Sequence, residues 1–404
     1  MTNILKPRDG KDVEAAVQWA LGEGKTLEIV GHGSKRGIGR AAQWDLSLDL
    51  SDLSGVTLYE PDELILSAKA GTSVAEIEAL LAEHNQELAF EPMDYGPVFG
   101  AAPNLDGKSR GTIGGVLAAN LSGPRRIKAG AARDHFLGFT AVSGRAETFK
   151  SGGRVVKNVT GYDLCKVLAG SYGTLAAMTD VTVKVLPRAE TEETVLVLGL
   201  DDAAAARAMS AAMGSSNDVS GAAHCPAPLA ASLQAEAGRA LMALRLEGVA
   251  PSVVHRRRAL EMLLKPFGEV AVLGEAASRD VWRVIRNVMP FTGGARALWR
   301  ISVAPTRGHE VAAAIGEGAE YFYDWAGGLI WVALSATGDG GAARVRRAVA
   351  GNGHATLIRA PAAIRASVPV FEPQDAGLAA LTKRVKESFD PKGIFGPGRM
   401  WAGV

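Results

Sequence analysis

The sequence predicts an α+β protein with more than one packed unit. Its apolar residues follow the helical period in some segments and alternate, as in strands, in others. Glycine-rich segments separate these patterns. With 404 residues, the chain exceeds the roughly 250 to 300 residues beyond which a single core seldom grows. The composition, 47% hydrophobic and 22% charged, is that of a folded globular protein and leaves no room for a long disordered tail.

The first elements predicted along the chain are a helix, a short strand and a glycine-rich loop. The helix collects its apolar residues on one face, and glycines follow them as stop signals. That face is formed by Val13, Ala16, Val17, Ala20 and Leu21. Residues 27–30 are apolar except for Glu28 and predict a strand. This strand leads directly into residues 31–39, where four of nine positions are glycine.

Two later segments predict strands, and a helix follows them. Apolar residues alternate over 46–50 and again over 64–70, which is the pattern of strands buried on one face only. Ser73 and Glu76 then form a capping-box signature. The apolar positions from Val74 to Leu81 supply one face of the helix that this signature opens.

The remainder of the chain divides by composition near residue 190. Residues 101–187 are dense in glycine and end in an alternating strand that Pro187 stops. A new unit is predicted to begin near Thr194, where a short apolar strand precedes an alanine-rich helix over 201–213. Residues 378–386 predict a last helix.

Charge, cysteine content and hydropathy exclude several functional classes. The formal net charge is +1, without a long run of one sign, so neither a nucleic-acid footprint nor a polybasic membrane anchor is expected. No signal-peptide core and no stretch of 18 uncharged apolar residues occurs, and we expect a cytoplasmic protein. Cys165 and Cys225 are the only cysteines, so a disulfide framework, a CxxC zinc pair and an iron–sulfur ligand set are excluded. Cys165 lies in an apolar run and is expected to be buried.

The loop at residues 31–39 is the first candidate binding site. Its glycines would let several backbone N–H groups approach one anion without obstruction by Cβ atoms, and a pyrophosphate is the usual anion. A surface turn is an equally good interpretation of this loop alone. It is not a Rossmann fingerprint, because no GxGxxG opens a helix in a βαβ unit, and it lacks the spacing of a Walker A loop.

Two further segments carry glycines and polar residues that suit a ligand. In residues 111–123 the glycine pair Gly114 and Gly115 precedes an apolar run that ends in Asn120. Such a run can pack backbone against a flat ligand, although a helix start with packing glycines explains it as well. In residues 152–175 two glycine-framed polar loops surround a short predicted helix, an arrangement that would be unusual for simple connectors.

The order and spacing of these segments resemble the vanillyl-alcohol oxidase family of flavoproteins along essentially the whole chain. The motifs that carry the resemblance are GHGS from residue 31, LDLSDLSGV at 48–56, AGTSVAEIEALL at 70–81, GTIGGVLAANLSGP at 111–124, RDHFLGFTAVSGRAE at 133–147, the segment GGRVVKNVTGYDLCKVLAGSYGTLAAMTDVTVKVLP at 152–187, and FDPKGIFGPGRM at 389–400. Within that family, VVKNVTGYDLCK and GNGHATLIRAP at 351–361 look like the FAD-binding subunit of bacterial glycolate oxidase.

The resemblance implies an architecture and a cofactor, FAD. Residues 1–190 would form a two-subdomain FAD-binding domain, residues 191–370 a smaller α+β cap domain, and residues 371–404 a return to the FAD domain. The first loop would hold the pyrophosphate, the second segment would line the phosphates and flavin, and the third would border the cofactor. The implied FAD-binding residues are Val30, Gly31, His32, Gly33, Ser34, Lys35, Thr112, Gly114, Gly115, Asn120, Gly173 and Thr174.

Two positions depart from the family pattern. Some members attach FAD covalently through a histidine after the glycines of the first loop, where this chain has Ser34, and His32 lies two residues earlier. Non-covalent FAD is therefore expected. The family often has asparagine before the C-terminal Pro-Gly, where this chain has Gly396. That change removes a side-chain amide that could contact the flavin.

The sequence offers no recognisable catalytic or metal site. Hydroxyacid dehydrogenases of this family carry paired histidines and a carboxylate, and that set is not found here. The histidines outside the first loop are scattered, without HxxxH or HExxH spacing. They are His84, His135, His224, His255, His309 and His354, of which His354 lies in a resembling segment. The basic cluster from Arg125 to Arg133 could face a phosphate or a partner, but a solvated loop is the favoured interpretation.

Together these observations predict the FAD-binding subunit of a heteromeric glycolate (2-hydroxyacid) oxidase or dehydrogenase, with an electron-transfer or assembly role. The resemblance implies a catalytic flavoprotein subunit and an iron–sulfur subunit as partners, through which any membrane contact would be made. The alternatives are a stand-alone FAD-dependent 2-hydroxyacid or alcohol dehydrogenase and a structural subunit that has lost FAD.

Overall fold

The computed structural model describes residues 3–100, 111–154, 161–233 and 238–404. The first described elements are a small parallel sheet and one helix. Asp9 begins the helix by accepting hydrogen bonds from the backbone N–H groups of Lys11 and Asp12, and Val13, Val17 and Ala20 pack its buried face. The sheet has the order β1-β3-β2. The elements are β1 (Asn3–Leu5), α1 (Gly10–Gly22), β2 (Leu27–Val30) and β3 (Leu46–Asp49).

An antiparallel five-stranded sheet follows, with the order β4-β5-β9-β7-β8. Its strands are β4 (Val56–Glu60), β5 (Ile65–Lys69), β7 (Phe136–Ser143), β8 (Thr148–Gly152) and β9 (Ala176–Lys184). A separate pair joins β6 (Gln86–Glu87) to β10 (Leu186–Pro187). The helices of this region are α2 (Val74–Glu83), α3 (Ile113–Ala119), α4 (Arg126–Ala129), α5 (Ala132–His135) and α6 (Leu164–Leu168). Residues 155–160 of the third predicted segment lie outside the described residues.

The second half of the chain builds an antiparallel eight-stranded sheet with the order β14-β11-β13-β12-β16-β17-β15-β18. Its strands are β11 (Thr191–Leu198), β12 (Gly221–Cys225), β13 (Leu241–Gly248), β14 (Glu269–Leu273), β15 (Ala297–Val303), β16 (Glu320–Asp324), β17 (Leu329–Leu334) and β18 (Gly353–Arg359). Its helices are α7 (Asp202–Met213), α8 (Ala227–Ala230), α9 (Ala250–Leu264), α10 (Glu275–Arg286), α11 (Gly308–Ile315), α12 (Ala342–Val349) and α13 (Ala362–Ser367). We call this sheet with its helices the cap. The limits 1–190, 191–370 and 371–404 remain our proposed domain division.

Two strands differ from their predicted half-buried state. Ser47 in β3 and Ser67 in β5 are both buried, although they occupy the face that was expected to meet solvent. Each strand lies inside its sheet with a partner on either side, and the buried serines mean that other parts of the protein cover both faces of the strand. The predicted burial of Cys165 is confirmed, since this side chain is fully enclosed.

The inner face of the cap sheet packs against the first half of the chain. Trp331 on β17 meets Tyr95 edge-on, with ring centroids 6.1 Å apart. Trp325 donates a hydrogen bond from Nε1 to the carbonyl of Gly123 at 3.0 Å. Arg359 at the end of β18 donates to the carbonyl of Val98 at 2.6 Å. Apolar packing and directional bonds therefore both join the cap to the rest of the protein.

The last segment returns to the small N-terminal sheet. Helix α14 (Ala376–Phe389) is longer at both ends than the predicted helix over 378–386. After it, the backbone N–H of Leu27 donates to Ile394, and that of Gly396 donates to Leu27, so β2 gains an extra bridge to Phe395. Among the described residues, none of the helices is long and apolar enough to cross a membrane.

Candidate functional site

Distant segments meet around a partly open cavity with about 810 Å³ of empty space. They are the loop after β2, the start of α3, the loop between α6 and β9, and Arg399. Most of the residues predicted to bind a cofactor line this cavity. These are Val30, Gly31, His32, Gly33, Ser34, Lys35, Thr112, Gly114, Gly115 and Gly173.

The two other predicted residues, Asn120 and Thr174, make hydrogen bonds next to the segments that line the cavity. Asn120 ends α3 in the left-handed conformation, with φ +49°, and its Oδ1 accepts the backbone N–H of Arg133 at 3.0 Å. Thr174 donates from Oγ1 to the carbonyl of Ser171 at 2.8 Å. Neither side chain is among those that line the cavity. Their local role is to fix the ends of the segments that do.

The glycines of the first loop act in two different ways. A Cβ on Gly31 would lie 2.5 Å from Thr112 Oγ1, so the loop can approach the start of α3 only without a side chain there. Gly33 has φ +74°, and the nearest atom to an added Cβ is 3.5 Å away. Glycine is therefore favoured at position 33 by backbone conformation and at position 31 by close packing.

The start of α3 is fixed by its own cap and by a tight contact beneath it. Thr112 accepts the backbone N–H of Gly115 through Oγ1 at 3.2 Å, which satisfies one free donor of the first turn. A Cβ on Gly114 would lie 2.8 Å from Ala70, so this turn packs directly on the end of β5. The glycine pair therefore has a packing role, which was one of the two interpretations of this segment. Gly114 and Gly115 also both border the cavity.

Lys35 brings a positive charge into the cavity. Its Nζ donates to Ser34 Oγ at 3.0 Å. Loss of hydration lowers the pKa of Lys35 to about 8, an effect that the charge of Asp94 partly offsets. A bound anion would favour the protonated amine. The local electrostatics therefore suit a phosphate at this position.

Arg399 adds a second cation, and its side chain is buried. Its Nη1 lies 3.8 Å from Glu28 Oε1, while Glu28 itself is held by Arg36 through Nε at 3.0 Å. Within the described part of the chain, Arg399 Nε is buried without a hydrogen-bond partner. Burial lowers the pKa of Arg399, and Glu28 opposes this effect. A buried donor without a partner at the cavity wall is a place for a ligand oxygen.

The lining as a whole fits a flat anionic cofactor. Among the residues that the structure describes, it contains Lys35, Arg36 and Arg399 and no aspartate or glutamate. Apolar side chains form another part of the lining and can pack against a ring system. They are Leu50, Ala70, Ala118, Ala119, Leu168, Ala176 and Met178. The chain therefore has the polar and apolar surfaces that a dinucleotide such as FAD requires.

Sequence reasoning missed Tyr172 and the contribution of Arg399. Tyr172 lines the cavity with φ +53°, an unusual conformation for a bulky residue, and stacks obliquely on Phe371 at 5.2 Å. No local pattern distinguishes this tyrosine from a packing residue. Arg399, in contrast, is the penultimate residue of the FDPKGIFGPGRM motif, in which Gly396 replaces the family's asparagine. The C-terminal motif does contribute a polar side chain, although it is a guanidinium and not an amide.

One residue of the basic cluster near residue 125 departs from the solvated loop that was favoured. Arg125 has a side chain only 11% exposed, and it pairs with Glu87 and Glu247. Arg126 stacks on the ring of Trp325, with Cζ 4.2 Å from the centroid. The favoured prediction was wrong for Arg125, because its partners lie far away in sequence, whereas Arg126, Lys128 and Arg133 are exposed as predicted. Among the described residues, no group of three or more His, Cys, Asp or Glu side chains could hold a metal ion.

Similarity to known sequences covers nearly the whole chain. Residues 2–152 match the family described as an FAD binding domain. The glycolate oxidase subunit GlcE of Escherichia coli is 31% identical over 388 residues, which cover 96% of this chain and 95% of that protein. The glycolate oxidase subunit GlcD of Bacillus subtilis is 31% identical over 153 residues, covering 38% of this chain and 30% of that protein.

Solved structures establish the fold. The 4-ethylphenol oxidase of Gulosibacter chungangensis superposes with a TM-score of 0.72 at 12% identity, covering 99% of this chain and 89% of that one. A p-cresol methylhydroxylase with bound substrate superposes with a TM-score of 0.69 at 13% identity, covering 98% and 88%. These likenesses confirm the predicted α+β fold of the vanillyl-alcohol oxidase type. The chain belongs to the family of the glycolate oxidase subunit GlcE, carries an FAD-binding domain, and has the fold of the vanillyl-alcohol oxidase and p-cresol methylhydroxylase flavoproteins.

Proposed function

We propose that this chain is the FAD-binding subunit of a heteromeric glycolate (2-hydroxyacid) oxidase or dehydrogenase. The observation that carries the proposal is the cavity, whose described lining combines three cationic side chains, a glycine loop and apolar side chains and includes no carboxylate. Similarity to GlcE along almost the full length supports the same assignment. The proposed partners are a catalytic flavoprotein subunit and an iron–sulfur subunit of one cytoplasmic complex.

Each wall of the cavity has a proposed task. The loop from Val30 to Lys35 would hold the pyrophosphate through backbone N–H groups, with Thr112 and Gly115 on the facing side. Lys35 and Arg399 would offset the phosphate charges. Gly173 would border the cofactor from the third segment. When bound, FAD supplies a redox group that accepts electrons from a substrate or partner and passes them on.

FAD is proposed to be held without a covalent bond. Ser34 occupies the position at which covalent members carry histidine, and its Oγ accepts a hydrogen bond from Lys35. Acid precipitation of the purified protein should therefore release the flavin into the supernatant. Yellow flavin that remains in the denatured pellet would contradict this expectation. A protein purified without absorbance near about 450 nm would favour a structural subunit that has lost FAD.

The proposed role is electron transfer or assembly, and a catalytic partner would supply the residues that activate the hydroxyl group. The FAD-loaded chain alone, mixed rapidly with glycolate or D-lactate, should show little bleaching of the flavin. The complex co-expressed with its partner subunits should bleach and pass electrons onward. Rapid bleaching of the isolated chain would instead favour a stand-alone 2-hydroxyacid or alcohol dehydrogenase.

A further inference from the structure

A second cavity, with about 1100 Å³ of empty space, lies where the cap meets the first half of the chain. Helix α2 and strand β6 contribute to its lining from the first half, and β11, β13 and α10 contribute from the cap. Six arginines and five glutamates are among the described lining residues, and no described residue borders both this cavity and the cofactor cavity. So charged a lining suits a small hydrophilic ligand and not a flat aromatic one.

Two of the six arginines are engaged by three of the five glutamates. Arg245 donates two hydrogen bonds to Glu91, at 2.8 and 3.0 Å. Arg125 pairs with Glu87 and with Glu247. This part of the lining is therefore an ionic network within the protein, and its charges are balanced without a ligand.

Two more arginines have their nearest carboxylate partners outside the lining. Arg279 pairs with Glu275 at 2.5 Å, and Arg283 pairs with Asp280 at 2.9 Å. Glu192, the fourth glutamate of the lining, lies 3.9 Å from Arg279. These charges are also compensated by the protein itself.

Arg286 lines the same cavity and differs from these four arginines. Its Nε is buried without a hydrogen bond, and within the described part of the chain no carboxylate oxygen lies within 4.0 Å of its guanidinium group. Its place is fixed by packing, because a Cβ on Gly123 would lie 3.2 Å from Arg286 Cγ. The next residue, Asn287, accepts the backbone N–H of Asp94 through Oδ1 at 3.1 Å. A guanidinium group that is held at a cavity wall without an acceptor is a place for a ligand oxygen.

The two remaining charged groups of the lining are Arg188 and Glu78. Arg188 is exposed, and neither side chain makes a hydrogen bond or an ion pair with another described residue. Burial raises the pKa of Glu78, while the charges of Arg286 and then Arg188 oppose this effect. The uncompensated groups are therefore two guanidinium cations and one carboxyl that burial shifts towards its neutral form.

We propose that this second cavity binds a phosphate dianion, either inorganic phosphate or the phosphate group of a small monoester, through Arg286 and Arg188. The planar fork of a guanidinium group matches two oxygens of a phosphate. A tetrahedral phosphate offers further oxygens to a second group, whereas a carboxylate offers only two in one plane. Arg286 belongs to the cap and Arg188 to the first half, so the bound anion would join the two. The inference goes beyond the proposed function and does not rely on it.

Inorganic phosphate and glycerol 3-phosphate are the two probes, and the tighter one identifies the source of the phosphate group. Isothermal titration of the purified chain with excess FAD should show that phosphate binds and that malonate, a dicarboxylate dianion, binds more weakly. Arg286→Met should weaken phosphate binding by about tenfold or more, since it removes a charge-assisted contact. Glu78→Gln should strengthen it by about threefold, because the amide removes a like charge and keeps a donor. The matched control is Arg307→Met, an exposed arginine of the cap that pairs with Glu310, and it should leave phosphate affinity unchanged.

Separate readouts distinguish the possible failures. Absence of binding by both probes, an unchanged affinity in Arg286→Met, or malonate binding as tight as that of phosphate would overturn the inference. So would a loss of phosphate binding in Lys35→Met with none in Arg286→Met, because the anion would then occupy the cofactor cavity. Circular dichroism establishes that each variant is folded before it is titrated. Flavin absorbance of the wild-type chain tests the proposed function, and its absence would leave the comparison of the Arg286 and Lys35 variants valid.

Discussion

Lys386 Nζ donates a hydrogen bond to the carbonyl oxygen of Thr174 at 2.6 Å. The same amine donates to the carbonyl of Phe395 and to Asp390 Oδ2, each at 2.7 Å. Lys386 is the only fully buried residue of α14, and its side chain is 5% exposed. The ammonium group of Lys386 therefore links Thr174, at the end of the third predicted FAD-binding segment, to Phe395, which forms a bridge with β2.

Replacing Lys386 with methionine should destabilise the protein and lower its FAD content. The substitution leaves the Asp390 carboxylate buried without its cation, which typically costs about 3 to 5 kcal/mol. Two carbonyl oxygens also lose their donor. Urea unfolding followed by circular dichroism measures the loss of stability. Lys383→Met, on the exposed face of the same helix, is the control and should change the unfolding free energy by less than about 0.5 kcal/mol.

Gly31→Ala should weaken FAD binding while leaving the rest of the fold intact. The added Cβ would lie 2.5 Å from Thr112 Oγ1, so either the first loop or the start of α3 must move. Overpacking of this kind costs about 1 to 3 kcal/mol. Because both segments line the cavity, their displacement should weaken FAD binding. Fluorescence titration of the deflavinated protein with FAD measures the change. Gly22→Ala, where no atom lies within 4 Å of an added Cβ, should bind FAD like the wild type.

FAD affinity should fall above about pH 8 because of Lys35. Loss of hydration lowers the pKa of this amine to about 8 in the cofactor-free protein, and a bound phosphate would raise it again. Binding is then strongest below pH 8 and requires uptake of a proton above it. Between pH 8 and the higher pKa of the bound state, the Kd should rise about tenfold per pH unit.

Lys35→Met tests the assignment of that pH dependence. The variant should bind FAD more weakly at pH 7 and should show a flat profile between pH 7 and 9. Lys11→Met, an exposed lysine of α1, should keep the wild-type profile. An unchanged decline of affinity in the Lys35 variant would assign the titration to another group.

Glu91→Gln should make the protein less stable and less sensitive to acid. Arg245 holds Glu91 through two hydrogen bonds at 2.8 and 3.0 Å that join the cap to the first half of the chain. Although burial alone would raise it, Arg245 and Arg125 hold the pKa of Glu91 at about 2. Its stabilising effect is therefore full above the usual pKa of 4.5 and is lost as the pH falls towards 2.

The variant should lose about 3 kcal/mol of stability at pH 7 and less at pH 3. Urea denaturation at both pH values measures the difference. Glu83→Gln, at the exposed end of α2, should show the acid dependence of the wild type. Equal losses at both pH values in the Glu91 variant would mean that the charge of Glu91 is not what links the cap.

The cavity residues of the first loop could be predicted from the sequence, but those that complete the cavity from other parts of the chain could not. Gly31, Gly33 and Lys35 lie within one loop, and the physical reasons for glycine and lysine there are local. Arg399 reaches the same cavity from a distant part of the chain, where the backbone N–H of Arg40 donates to its carbonyl at 2.8 Å, a contact that no local pattern specifies. Tyr172 has an unusual backbone conformation that only the folded chain reveals.

Burial and charge pairing were the other quantities that local patterns could not supply. The alternation around Ser47 and Ser67 predicted strands correctly, but whether the second face is covered depends on which elements pack over it. In the same way, Arg125 stands among basic neighbours in sequence, whereas its partners Glu87 and Glu247 come from elsewhere in the chain. The resemblance to a known family predicted the cofactor and the fold, because it compares motifs along the whole chain and not one local pattern at a time.

The bridge between β2 and Phe395 also sets a condition on synthesis of the protein. Trp44 Nε1 donates to the carbonyl of Pro397 across 353 positions of sequence, and Arg399 lies just beyond. On the ribosome, the sheet of β1, β2 and β3 must wait until residues 395–399 have been made before this side of the cavity exists. The cofactor can therefore be captured in its complete pocket only after those residues have left the ribosome. A polypeptide that stops before residue 395 would lack this side of the cavity and could not close around the flavin nucleotide.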